Sequence, residues 1–178
     1  MADVAATSTD REQVYDLMIR YGRCIDAKEL DRDELFRACY TEDATIQYDA
    51  WDGPGTPLVG LEGFKRYWGD SPLPFEGFHQ FTNFSFEIDG DEGAYKCLGV
   101  AYHWPRGARF PGDAPVAMVG VRYENRVRRT ERGWRIAEQR NIPVWTSGDQ
   151  SIFGQFGADE AQDPATGPRG QSQGTDRG

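Results

Sequence analysis

Two histidines occur in the 178-residue chain, His79 and His103, and both fall in stretches that read as β-strand. An imidazole exchanges a proton near neutral pH, so a histidine facing a cavity is a candidate general acid or base. His79 lies in "FHQFTNFSFEIDG", residues 78–90, and His103 in "GAYKCLGVAYHW", residues 93–104. Between them "IDGDEGAY" supplies a turn centred near Asp91. Strands paired about that centre place His79 directly opposite His103, with Cβ atoms roughly 5 Å apart. The same face carries Phe81, Asn83 and Ser85 opposite Ala101, Gly99 and Cys97, small or polar groups apart from the phenylalanine. The other face carries Phe84, Phe86 and Ile88 against Leu98 and Val100, a core-packing set. The spacing predicts a cavity wall on the histidine side and core on the far side. A slip of one residue moves a strand's whole set to the opposite face.

Asp26 is a second candidate for proton transfer. It continues the line Tyr15, Ile19, Gly22 on a predicted first helix, with a glycine one turn below it. A carboxylate on an apolar line is a candidate general base. Tyr21 lies five residues earlier, about 140° round an ideal helix. Tyr21 and Asp26 reach one cavity only if the helix turns irregular near Ala27. Each residue also has a plain structural reading. A strand histidine is often a satisfied core group, and Asp26 at a helix end can face water. Tyr21 on an apolar stripe can be core, and Asn83 can bond backbone at a bulge. Convergence of all four on one cavity is what separates the two readings.

The elements that must position these residues follow from hydrophobic periodicity. Val14, Leu17, Met18, Tyr21 and Ile25 recur at helical spacing, with Asp10 as cap and Gln13 at the capping-box position. A second helix begins near Asp31 with Leu35, Phe36 and Cys39 inward. "TEDATIQYDAWDG" reads as a strand and "LEGFKRYWGD" as a short helix. Strands follow over 78–88, 94–104, about 116–130 and 133–145. In "VGVRYENRVRR", Val119, Val121, Tyr123, Asn125 and Val127 share one face and the charged residues the other. Helices first and antiparallel strands after give an α+β layout. Residues 1–9 read as a flexible arm, 10–153 as one domain, and 154–178, rich in Gly, Gln, Asp and Pro, as a disordered tail.

Composition removes several function classes. Lys+Arg total 20 and Asp+Glu 29, a net charge of −9, which argues against nucleic acid as a partner. Three cysteines without metal-ligand spacing, and no apolar leader or membrane-length run, fit a cytoplasmic protein with reduced thiols. No GxGxxG, GxxxxGK[ST] or GxSxG motif occurs. His79, His103 and Asp26 are the types of a two-histidine, one-carboxylate metal site. They lack HxD or HxxxH spacing, and the reading adopted needs no cofactor.

Taken in order, "YGRCIDAKELDRDELFRACYTEDATIQYD", "GLEGFKRYW", "FHQFTNFSFEIDGDEGAYKCLGVAYHW" and "NRVRRTERGWRIAEQRN" resemble the SnoaL-like group of the NTF2-like superfamily, over roughly residues 10–145. Scytalone dehydratase, bile acid 7α-dehydratase and hexachlorocyclohexane dehydrochlorinase are relatives of this type. The resemblance implies a cone-shaped α+β barrel, with N-terminal helices packed against a curved antiparallel sheet around an apolar pocket. It implies an acid/base dyad of Asp26 in "CID" and His79 in "FHQFTN", with Tyr21 and His103 as further catalytic groups. Arg129 or Arg140 answers to an arginine that helps some relatives. Tyr48, Phe81, Asn83, Tyr123 and Asn125 complete the expected substrate-binding set. The serine and asparagine of the scytalone enzyme fall near Val121 and Tyr123, which argues against the same polyphenolic substrate. The implied activity is a cofactor-independent lyase, a dehydratase acting on a hydrophobic cyclic substrate, steroid- or polyketide-like. Isomerase, polyketide cyclase and non-catalytic ligand-binding module are the alternatives, and a homodimer or homotrimer is the implied assembly.

Overall fold

A computed structural model describes residues 8–27, 31–50, 53–69, 72–108 and 115–153. The expected tail, nearly all of the expected arm, and most of the proline-rich loop after His103 lie outside the described residues.

The first helix, α1, spans Ser8–Ile25. Val14, Leu17, Met18 and Tyr21 form its buried stripe, as their spacing requires. Asp10 lies inside the first turn rather than at the cap, because the helix starts two residues earlier. Its carboxylate turns away from the helix to accept hydrogen bonds from Arg129 Nη2 at 2.6 Å and Trp134 Nε1 at 3.3 Å. Helix α2, Arg32–Cys39, is capped by Asp31, whose side chain accepts from the Glu34 backbone N–H at 2.8 Å. The third helix, α3, spans Gly60–Trp68.

Six strands form one sheet: β1 (Tyr40–Tyr48), β2 (Leu58–Val59), β3 (Phe75–Asp89), β4 (Glu92–Pro105), β5 (Ala117–Thr130) and β6 (Gly133–Gly148). Their order is β2-β1-β6-β5-β4-β3, and β1 runs parallel to β6 while every other pair is antiparallel. The helices pack against a curved sheet, as the resemblance implied; the sheet is open, and its one departure from an antiparallel sheet is the parallel β1–β6 pair. The reason is topological. After β1 the chain crosses by α3 to the far edge, and three successive hairpins bring β6 back alongside β1 in the same direction. No described helix is long and apolar enough to cross a membrane.

The β3–β4 hairpin departs from the expected register in two steps. Its turn is two residues, with Asp89 paired to Glu92 and Gly90 at φ +59°, so the centre falls between Gly90 and Asp91. A bulge at Asn83, the one described non-glycine residue with positive φ (+56°), adds a second shift. His79 consequently faces Ala101, and His103 faces Gly77. The bulge also restores parity. Phe84, Phe86 and Ile88 pack against the core on the helix-covered face, the same face that carries His79. Leu98, at 42% exposure, looks outward instead of opposing them. Ser85 pairs with Lys96 rather than Cys97.

Candidate active site

Helix α1 crosses the concave face of the sheet closely enough that only a hydrogen fits at position 22. A Cβ on Gly22 would sit 2.7 Å from the Phe81 ring. The helix then ends at Ile25, just before Asp26. Asp26 still donates its N–H to Gly22 O at 2.9 Å, but Ala27 bonds Cys24 O at 3.3 Å, a tighter closing turn. This ending turns the Asp26 carboxylate onto β3. Oδ1 lies 2.5 Å from His79 Nδ1, and Oδ2 accepts the His79 backbone N–H at 2.9 Å. The pair is largely sheltered, with side-chain exposures of 9% for His79 and 20% for Asp26. With Nδ1 committed to the carboxylate, Nε2 is the nitrogen His79 has for a substrate.

His79 stacks on Phe81, ring centroids 6.2 Å apart, and meets His103 edge-on at 5.5 Å. His103 is wedged between Phe75 and Phe153, at 5.1 and 4.9 Å. Gly77 leaves the space for it: a Cβ there would stand 3.2 Å from the imidazole. Burial, reinforced by the charge of His79, pushes the His103 pKa down to about 3. His103 is thus a neutral imidazole, and its buried Nδ1 has no hydrogen-bond partner among the described residues. Tyr21 is 2% exposed. Burial raises its pKa far above the usual phenol value, partly offset by the polar side chains of Gln139 and Tyr48. It remains a protonated donor at any working pH.

These groups border a cavity of about 270 Å³. Tyr21, Tyr48, His79, His103 and Tyr123 of the expected set line it. Tyr48 and Tyr67 build a flat stacked wall, 4.6 Å between centroids. Asp26 and Phe81 stand behind His79 rather than on the cavity surface.

The remaining expected residues fall elsewhere, each for a visible reason. Asn83 is exposed at the bulge, so it does not look into the pocket. Tyr123, Asn125 and Arg129 do share a face, but the cavity occupies only one end of it. Asn125 is buried beside Tyr95, beyond the cavity. Arg129 is a further four residues along, where it binds Asp10 and Asp91. Arg140 points outward to Asp49 at 2.8 Å. Strand alternation brings its neighbour Asn141 into the cavity instead, a residue the sequence reading passed over. Its signal was faint: one of two amides, with Gln139, in a strand whose arginines and tryptophans stand out.

Helices packed on a curved, open, mixed sheet over an aromatic cavity define an α+β fold of the NTF2-like, cystatin-like type. The chain belongs to the SnoaL-like domain family, whose model matches residues 6–140. Among solved structures, a protein from Novosphingobium aromaticivorans provisionally named an aromatic ring hydroxylase is 25% identical, with a TM-score of 0.65, over 83% of this chain and 99% of its own. A protein from Kribbella flavida is 27% identical with a TM-score of 0.63, over 78% and 93%. A type 2 hexachlorocyclohexane dehydrochlorinase shares the fold at 14% identity and a TM-score of 0.60, over 79% and 89%. No protein of curated function matches the sequence.

Proposed function

We propose that this protein is a cofactor-independent lyase, a dehydratase acting on a hydrophobic cyclic substrate. The observation that carries the reading is the Asp26–His79 contact, 2.5 Å at Nδ1, behind an imidazole that lines an aromatic cavity. A ligand-binding module has no need of an imidazole oriented by a carboxylate. The dehydrochlorinase of the same fold performs an elimination by name, which agrees with the class of reaction.

In this mechanism His79 Nε2 takes a proton from a carbon adjacent or vinylogous to a carbonyl. The C–H electron pair moves into the conjugated system, and the carbonyl oxygen gains charge. Asp26 keeps the proton on Nδ1 and stabilises the imidazolium that forms. The imidazolium returns its proton to the departing hydroxyl, which leaves as water as the new double bond closes. Tyr21 and neutral His103 donate hydrogen bonds to the carbonyl or to that hydroxyl. Each well-placed acid or base contributes typically 10²–10⁴-fold. A cavity of roughly 150 Å³ accepts benzene, so about 270 Å³ suits a two- or three-ring body. This points to the smaller polyketide-like compounds rather than an entire steroid skeleton.

The test is incubation with a panel of hydroxylated cyclic ketones, followed by mass spectrometry for loss of water. Wild type is compared with His79→Ala and Asp26→Asn. Dehydration by wild type and its collapse in both variants is the expected result. Equal turnover in all three removes the dyad from the mechanism. A product of unchanged mass with altered ultraviolet absorbance assigns an isomerase instead.

A further inference from the structure

Three buried polar side chains run in a line from the core to the cavity: Tyr40, Gln139 and Asn141, at 1%, 2% and 7% exposure. Burying amides is costly unless their hydrogen bonds are made. The Tyr40 hydroxyl donates to Gln139 Oε1 at 2.8 Å. That contact turns the Gln139 amide nitrogen the other way, and it donates to Asn141 Oδ1 at 3.0 Å. The Asn141 oxygen is thereby occupied, and what Asn141 has left to offer is an NH₂ group. Among the described residues no protein acceptor meets that group, and the side chain lines the cavity.

We infer that Asn141 is a specificity-determining residue that donates a hydrogen bond to a carbonyl or phenol oxygen of the ligand, remote from the carbon His79 attacks. Asn141 stands three strands from β3, in register with Tyr123 on β5 and Tyr48 on β1, both cavity residues. The buried Tyr21 hydroxyl is influenced by the side chains of Gln139 and Tyr48, which places it at the same polar end. His79 and His103 form the other. The ligand this geometry selects is a conjugated ring system with an oxygen at each end, apolar between.

The chemistry also limits what that oxygen is. The nearest arginine in sequence, Arg140, faces outward on Asp49 and supplies no charge to this end. Arg106 lines the cavity with its Nε donating to Leu73 O, but what Asn141 itself offers is a neutral amide, which suits a ketone or phenol better than a carboxylate. In the lyase reading, on which this inference rests for its catalytic meaning, that oxygen is where charge collects when His79 removes the proton.

Ligand binding tests the inference without requiring turnover. The probes are 1-tetralone and tetralin, two-ring bodies that differ by one carbonyl oxygen, titrated by quenching of tryptophan fluorescence with Trp68 in the cavity wall. Wild type is expected to prefer the ketone by about tenfold, the size of one good hydrogen bond in a buried site. Asn141→Leu removes the donors at similar volume. Asn141→Asp keeps the acceptor for Gln139 and loses the NH₂, so it serves where the leucine variant folds poorly. Both are expected to abolish the ketone preference while holding tetralin affinity within about threefold. A preference that survives in both variants, or its absence from wild type, overturns the inference. Ketone preference without dehydration of any compound in the panel would leave Asn141 in place and sink the lyase reading alone.

Discussion

Asp26 holds His79 at two points, Oδ1 on the ring nitrogen Nδ1 at 2.5 Å and Oδ2 on the backbone N–H at 2.9 Å. The second bond fixes the carboxylate to the strand, and the first then fixes the tautomer of the ring. Asp26→Asn keeps an acceptor for the backbone N–H but can present an NH₂ to Nδ1, which favours the wrong tautomer. We expect a fall in turnover of about 10²–10⁴-fold with little change in melting temperature. Nitrogen-detected NMR of the imidazole checks the cause before any substrate is known. Wild-type His79 should carry its proton on Nδ1, and an unchanged spectrum in the variant would refute this account.

The close approach that makes the contact possible rests on Gly22. A methyl group there would meet the Phe81 ring at 2.7 Å, and that ring is held by His79, Tyr21 and Tyr123 at 5.5–6.4 Å. Alanine is the better helix former by about 1 kcal/mol, yet overpacking here costs about 1–3 kcal/mol. Gly22→Ala should therefore lower the melting temperature, and Gly22→Val should lower it further. Both should weaken catalysis by lifting α1 away from His79. A stabilised, fully active Gly22→Ala protein would show that the helix has slack.

How far these relations could be read from the sequence depended on their range. Asp26 and Tyr21 on the helix and His79 on the strand were legible as candidates because residue type and local spacing carry that information, whereas the meeting of Asp26 with His79 was implied by the family resemblance. The bulge at Asn83 was not legible, because alternation in "FHQFTNFSFEI" fits an unbroken strand equally well. Only the covering helix decides that Phe81 and Phe84 must both turn inward. Face and depth also separate: Arg129 shares a face with Tyr123, but six residues at about 3.3 Å each carry it past the cavity. The parallel placement of β1 beside β6 depends on a long crossover, which no local pattern records.

The bulge itself is testable. Asn83 adopts φ +56°, a conformation that asparagine tolerates and β-branched residues resist. Asn83→Gly should leave melting temperature and ligand binding close to wild type, since the exposed side chain does not reach the cavity. Asn83→Val should cost about 1–2 kcal/mol. It should also loosen the register between Phe84 and His79, seen as faster amide exchange in β3. Equal stability of the two variants would mean that the bulge is not set by this residue.

His103 gives the protein an acid-sensitive core. Its folded pKa is pushed down to about 3 by burial and by His79, against about 6.5 in an unfolded chain. Between those values the unfolded state binds the proton and the folded state refuses it. Stability from this group is therefore complete above about pH 6.5 and is lost as the pH falls toward 3, by at most about 1.4 kcal/mol per pH unit. His103→Phe removes the titrating group and leaves an aromatic ring among Phe75 and Phe153. Melting temperatures measured from pH 7 to pH 4 should fall less steeply for that variant than for wild type. Parallel profiles would show that other groups set the acid limit, and that His103 reaches a proton in the folded state. In that case it would serve the reaction as an imidazolium donor rather than as the neutral one its burial implies.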